Sequence, residues 1–405
     1  MNRIVLPAGE RAATPGGMVP MGPPRQAQWP YVPDRQPAQA QGMKADDQLA
    51  SRRPGESYGP PRRLADELVR AAVAAPSMHN TQPWRFRIKD AGGTIELHAD
   101  PARFLPLGDP EGRAAHIACG AALLNLRLAA AVAGMRPGIR LLPAPGQPML
   151  LAEIRLAGRH HPTRWERELH AAIWRRQTNR EPFSSRPVPP GIRAELAEAA
   201  CLEGAALAFL DRDEAGRVLR LAAEAERDML ADPAYRAELS RWAGGYRDRD
   251  GIPGRVMGPR SPEGRSPVRD FNPERRHGPT RYAWFEEHPQ LVALSADSSG
   301  PMSWLAAGQA LQRVWLTATC RGVSACPLTQ PLETAEAWLV RNPRSAAGLP
   351  QMILRIGYGL PLPPGPPRRP VAEVIDEPHA QAPGALDPRG AAGHSDETSH
   401  RSQEE

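Results

Sequence analysis

Two stretches of this chain carry residue types suited to holding a ligand. The first is Ala75-Pro76-Ser77-Met78-His79-Asn80-Thr81-Gln82-Pro83-Trp84, a run of small, polar and turn-forming residues between an apolar helical segment and an aromatic strand. Such a run leaves backbone and short side-chain donors exposed where a planar ligand could lie. The second is Trp174-Arg175-Arg176-Gln177-Thr178-Asn179-Arg180-Glu181-Pro182-Phe183, where Arg176, Thr178 and Arg180 alternate. In an extended segment residues two apart point the same way, and two guanidinium forks beside a hydroxyl suit a phosphate monoester. The same arginines, read alone, also fit an ordinary basic helix end. Two further stretches lie downstream. Gly322-Val-Ser-Ala-Cys-Pro-Leu-Thr-Gln330 is a loop after a helix. Gln351 to Gly359 reads as a buried strand that leads through a Pro-rich turn into Pro367-Arg368-Arg369-Pro370.

The first stretch resembles the flavin-edge motif of the FMN-dependent nitroreductase family, and within it the Acg-type branch. The second is similar to that family's R-x-S-x-R phosphate motif, with Thr178 in place of Ser. The resemblance covers roughly residues 62 to 375 of the chain, its specific motifs at 75–84, 176–183 and 351–374. It implies one non-covalent FMN, with Pro76, Ser77, Met78 and Asn80 at the isoalloxazine edge. Arg176, Thr178, Arg180 and one of Arg368 and Arg369 would hold the phosphate. The backbone at Leu328 and Thr329 would face flavin N5 and O4, where a donor stabilises charge as the ring is reduced. His79 would orient the loop rather than act as an acid.

The activity implied is NAD(P)H-dependent reduction of a nitro or quinone-like acceptor through flavin N5. No catalytic side chain is assigned, because the cofactor supplies the redox chemistry. The alternative is a protein that binds or sequesters FMN behind a lid and has no reductase activity. A long Gly- and Pro-broken segment, 241–279, is the expected lid, with Trp242, Tyr246 and Phe271 as residues that would pack over the ring.

The elements that must position these residues are legible from periodicity. Leu64, Leu68, Ala71, Ala72 and Ala75 fall at helical spacing and Pro76 stops the helix. Trp84 to Lys89 and Thr94 to Ala99 read as two strands around Ala91-Gly92-Gly93. A helix is expected from Arg113 to Ala133, ending at Gly134, and a strand from Met149 to Leu156. The stretch Gly120–Gly134 is echoed by Gly308–Gly322, pairing Ala122 with Ala310, Leu123 with Leu311, Leu128 with Leu316 and Ala130 with Ala318. Two buried helices can converge on such residues; a duplicated unit gives the same pattern. The flavin-edge motif and the Arg motif occur once each, in different halves. Together with these elements, the resemblance implies an α+β, nitroreductase-like fold with a mostly antiparallel sheet and long core helices. Its halves, 62–170 and 171–375, would form a monomeric pseudo-dimer with one flavin site, and the tails 1–61 and 376–405 would be disordered.

Composition narrows the function classes. Among 405 residues with a formal charge of +6, Lys44 and Lys89 are the only lysines, which argues against Schiff-base chemistry. The arginines are scattered among acids, so no nucleic-acid partner is expected. Cys119, Cys201, Cys320 and Cys326 form no ligand-type spacing and read as reduced, mostly buried thiols in a cytoplasmic protein. His160-His161 lacks suitably spaced partners, so no metal is expected. The apolar run Ala121 to Ala133 carries Arg127, so no membrane span is expected. No G-x-G-x-x-G at a strand–helix junction, Walker motif or G-x-S-x-G occurs.

Overall fold

The computed structural model describes residues 62–262, 267–271, 281–332 and 348–376. The tails 1–61 and 377–405, and parts of the expected lid, lie outside these described residues. Helix α1 (Arg62–Val73) buries Ala65, Leu68, Val69 and Ala72, one stripe at helical spacing, against the core. Strands β1 (Trp84–Lys89) and β2 (Thr94–Ala99) form an antiparallel hairpin in which Trp84 faces Ala99 and Lys89 faces Thr94. Helix α2 (Arg113–Val132) follows. Both Asp109 carboxylate oxygens accept from its first turn, from the Ala114 and Ala115 amides at 2.9 Å each.

Strand β3 (Met135–Leu141) then pairs with β4 (Leu150–Arg159). The sequence did not signal β3. Its Pro137 and Gly138 weaken strand character, and they are tolerated because β3 is the edge of its sheet. Helices α3 (Arg164–Ile173) and α4 (Pro190–Cys201), strand β5 (Ala206–Phe209), and helices α5 (Arg212–Ala231) and α6 (Pro233–Trp242) lead into the second half. There β6 (Gln290–Ala296), helix α7 (Pro301–Cys320), β7 (Ser324–Pro327) and β8 (Leu349–Gly357) complete a second sheet. The short α8 (Val371–Val374) and β9 (Ile375–Asp376) close the described chain.

The sheet orders are β3-β4-β2-β1-β9 and β5-β6-β8-β7. Every pairing is antiparallel except β1 with β9. The chain's last described strand thus returns to the first sheet, where Arg85 donates to Asp376 at 2.6 Å. The boundary expected at 170 falls inside α3, and the one at 375 falls inside β9. Of the cysteines, Cys119 and Cys326 are buried, Cys320 is half-buried and Cys201 is exposed.

Helices α2 and α7, 20 residues each, pack along one another at the centre. Their backbones touch at Gly120 and Gly308. A Cβ on Gly308 would lie 2.1 Å from the Ile117 carbonyl oxygen, and one on Gly120 would lie 2.3 Å from that of Leu305. One turn further along, Gln312 donates to Asn125 at 2.7 Å and Asn125 donates to the Ala71 carbonyl at 2.9 Å, tying α7, α2 and α1 together. Among the described residues α2 alone is long and apolar enough to cross a membrane, yet it is buried as the core helix.

Because the atoms in the way are backbone, Gly308→Ala has to push the helices apart. It should destabilise the protein by about 1–3 kcal/mol or more, whereas Gly146→Ala, which meets nothing within 4 Å, should leave the denaturation midpoint unchanged. Urea or thermal unfolding of the two variants checks this.

Candidate functional site

The loop after α1 is held in a costly backbone conformation. His79, Asn80 and Gln82 all have positive φ, at 49°, 57° and 54°, and non-glycine residues in the left-handed region persist only where surroundings fix them. The surroundings are specific. Ser77 Oγ accepts from the Gln82 amide at 2.9 Å, and Gln82 Oε1 accepts from the Arg369 amide at 2.9 Å. Gln82 Nε2 donates to the Arg249 carbonyl at 2.8 Å, and Asn80 Nδ2 donates to the carbonyls of Gly251 at 2.9 Å and Pro367 at 3.0 Å. Arg103 bridges the Thr81 carbonyl and Asp250, at 2.8 and 2.9 Å. Residues 249–251 therefore form a strap bonded directly to the loop.

A cleft opens where this loop meets the paired helices. Its walls are Pro76, Ser77, Met78 and His79 from the loop, Ala114, Ile117 and Ala118 from α2, and Leu311 and Trp315 from α7. Thr178, Arg180, Cys326, Pro327, Thr329 and Met352 close one side, and Arg269 and Phe271 lie across it.

Two pairs of cations bracket the cleft. Arg176, 6% exposed, stacks on the Trp315 ring at 4.7 Å, and its Nη2 donates to the Ala74 carbonyl at 3.3 Å. Its Nε and Nη1 have no hydrogen-bond partner. Arg368 donates to the carbonyls of Val73, Ala74 and Ala75, the C-terminal end of α1. Burial, reinforced by the Arg368 charge, brings Arg176 down to about 9, and burial brings Arg368 down to about 10. Both stay cationic at neutral pH, and neither meets a carboxylate among the described residues. The second pair is Arg180 and Arg269. Arg180 lies over Phe271 at 4.9 Å and donates to the Val256 carbonyl at 2.9 Å. Arg269 donates to the Tyr235 hydroxyl and, at 3.2 Å, to Thr329 Oγ1.

The residues singled out in the sequence are thus distributed unevenly. Pro76, Ser77, Met78, Thr178, Arg180 and Thr329 line one cleft, and Arg176, with Arg368 close by, stacks on Trp315 of its wall. The segment carrying Arg176, Thr178 and Arg180 is not a regular strand; only Thr178 bridges, to Ala325, and the two guanidiniums stack on different rings. Arg369 turns away, donating to the Glu373 carbonyl at 2.6 Å and lying 3.9 Å from Asp100. The Asn80 amide serves the strap and the Pro367 turn. The Leu328 amide donates to the Ile353 carbonyl at 2.9 Å, extending the β7–β8 pairing, and its side chain is buried under α5, so it does not face the cleft. Of the expected lid aromatics, Phe271 lines the cleft, Trp242 lies under Arg103, and Tyr246 is 94% exposed. His79, Arg269 and Trp315 line the cleft without having been assigned a ligand contact. His79 stands inside the flavin-edge motif and Arg269 inside the expected lid; Trp315 carried no signal beyond helical spacing.

A nitroreductase family model matches residues 173–358. The chain is 34% identical over 331 residues to a Mycobacterium tuberculosis protein named for a proposed NAD(P)H nitroreductase activity, spanning 80% of this chain and 94% of the relative. This chain belongs to the nitroreductase family. A second Mycobacterium tuberculosis protein so named, acg, is 31% identical over 312 residues, 76% of this chain and 93% of its own length. Among solved structures, an FMN-bound nitroreductase from Bacteroides fragilis aligns with 54% of this chain and 99% of its own at 15% identity, with a TM-score of 0.31. Family membership makes the α+β fold described above nitroreductase-like.

His79 is neutral at neutral pH in this cleft. Burial, together with the Arg269 and Arg180 charges, holds its pKa well below the ordinary histidine value, and burial also lowers that of His116. In the unfolded chain both take up a proton below about pH 6.5, so stability should fall as pH drops through that value. Each contributes a slope of up to about 1.4 kcal/mol per pH unit. Denaturant titrations between about pH 7.5 and 5.5 should show a shallower decline for His79→Gln than for the parent chain.

Proposed function

We propose that the protein binds one FMN per chain in this cleft and acts as an NAD(P)H-dependent reductase of nitro or quinone-like acceptors. The observation that carries the reading is Arg176. Burying a guanidinium with two nitrogens unpaired and a second cation beside it is unfavourable, and a phosphate monoester supplies the missing negative charge and acceptors. Arg176 and Arg368 would hold the phosphate, and the apolar walls of Pro76, Met78, Ala118 and Leu311 would flank a planar ring. Ser77 and Thr178 add short polar groups at its edges. Arg180 and Arg269 would supply positive charge to the ring's other end, favouring the electron-rich reduced form. When bound, FMN supplies the hydride chemistry; the chain's share is to bind, orient and exclude water.

In the same reading, residues 62–170 and 171–375 are related halves of one unit, each contributing a sheet and one of the two central helices, so that a single chain assembles one complete site. A monomeric, cytoplasmic protein goes with it.

The strap favours a second reading, an FMN-binding protein without turnover. Phe271 is buried in the cleft mouth and edge-on to His79 with ring centroids 5.6 Å apart, so nicotinamide would have to displace it. A visible spectrum followed by anaerobic NADPH addition separates the two. Rapid bleaching supports the reductase. A yellow protein bleached by dithionite alone supports sequestration. A chain that cannot take up FMN overturns both. For the carrying residue, Arg176→Gln should weaken FMN binding by about a hundredfold or more, while raising the unfolding midpoint of the ligand-free protein because a buried unpaired charge is gone.

A further inference from the structure

The loop offers two adjacent side chains able to hydrogen-bond a ring, His79 and Asn80, and both are buried. Their backbones are left-handed in succession, and the side chains go to different places. Both N–H donors of the Asn80 amide are spent on the Gly251 and Pro367 carbonyls. Its Oδ1 has no partner, but Asn80 is not part of the cleft wall. His79 is part of that wall, 5% exposed, and both Nδ1 and Nε2 lack any hydrogen-bond partner. The Phe271 ring packs perpendicular to its own, centroids 5.6 Å apart. Two buried polar atoms with no partner among the described residues are a cost that folding does not explain.

We infer that His79, and not Asn80, is the side chain of this loop that hydrogen-bonds the planar ligand in the cleft, while Asn80 is the post that fastens the strap. The inference rests on the FMN reading above. A neutral imidazole presents one N–H donor and one lone pair, matching a heteroaromatic edge that carries both a carbonyl and a ring N–H, as the pyrimidine part of a flavin does. The charged groups facing His79 are Arg269 and Arg180. Neither can accept a hydrogen bond, so a partner for the imidazole N–H must come from the ligand. The strained backbone fits this role: positive φ at 79 is what turns the ring toward the cleft instead of the strap, and His and Asn are among the residues that tolerate it.

The test is FMN titration, followed by flavin fluorescence, of the full-length chain and its His79→Leu, His79→Gln and Arg176→Gln variants. The unfolding midpoints of the ligand-free proteins and ¹⁵N spectra of the histidine rings in the parent chain are recorded alongside. His79→Leu is expected to weaken FMN binding about tenfold without lowering the ligand-free midpoint, and His79→Gln, which keeps a donor and an acceptor, about threefold or less. The ring-nitrogen signals missing from the His79→Gln spectrum should shift when FMN is added to the parent chain. FMN binding that leaves those signals unmoved overturns the inference, whether or not the leucine variant folds. So does a His79→Leu variant with parental affinity while Arg176→Gln has lost it; either result leaves the cofactor reading standing. A parent chain that takes up no FMN overturns the cofactor reading and the role of His79 together.

Discussion

The backbone contact between Gly120 and Gly308 sets the dimensions of everything around the cleft. Helices usually approach to 8–10 Å between axes, with side chains filling the gap; here a carbonyl of each helix occupies the place a methyl group would need. Ile117, whose carbonyl meets Gly308, also lines the cleft, and Leu311 and Trp315 lie one and two turns beyond Gly308 on α7. Helix separation and cleft width are therefore one geometric variable. The Gln312–Asn125–Ala71 chain of hydrogen bonds fixes the register of that contact and carries it to α1. The end of α1 presents the three carbonyls that Arg368 grips. A contact made of missing atoms thus positions one of the two cation pairs.

The chain handles buried arginines in two ways, and the contrast separates structure from function. Arg355 is fully buried, but Glu286 accepts two of its bonds at 2.6 Å each, and Phe183 lies against its face at 3.8 Å. That charge is neutralised inside the fold. Arg176 is nearly as deep, yet its neighbours are a tryptophan ring, one carbonyl and another arginine. A fold that can supply a carboxylate to Arg355 but leaves Arg176 beside Arg368 is carrying an electrostatic cost, which in the proposed reading the FMN phosphate offsets.

Much of this was readable in the chain, for reasons that differ by element. The β1–β2 hairpin keeps the range its alternation predicts, because Trp84, Phe86, Ile95 and Leu97 must all face one core. The helices α2 and α7 announce themselves by runs of small and apolar residues too long for strands. Strand β3 was hidden by Pro137 and Gly138, whose costs vanish at a sheet edge. Local sequence could not give the destinations of side chains in the 76–84 loop, since left-handed residues break the rule that neighbours alternate. Hence the resemblance places Asn80 at the ligand and His79 in support, while in the structure His79 lines the cleft wall. Leu328 illustrates a different limit. Whether an amide is free depends on a partner strand distant in sequence, and Ile353 claims it. Arg369 and Arg368 are adjacent and chemically identical, and what divides them is chiefly long-range: the end of α1 for one, Asp100 together with the neighbouring Glu373 for the other.

The strap links covering the cleft to shaping its floor. Asn80, Gln82 and Arg103 bond residues 249–251, and the Gly251 amide donates back to the Asn80 carbonyl at 3.2 Å. Lifting the strap removes part of the restraint on His79, Asn80 and Gln82 and leaves the Ser77, Arg369 and Pro367 bonds in place. A ligand resting on that loop would lose part of its support in the same motion that admits a second substrate. If the strap moves as one piece, the geometry favours retention of the first ligand over turnover. If Arg269 and Phe271 swing out while 249–251 stay bonded, the mouth opens and the floor stays formed. Only the second motion is compatible with repeated reduction.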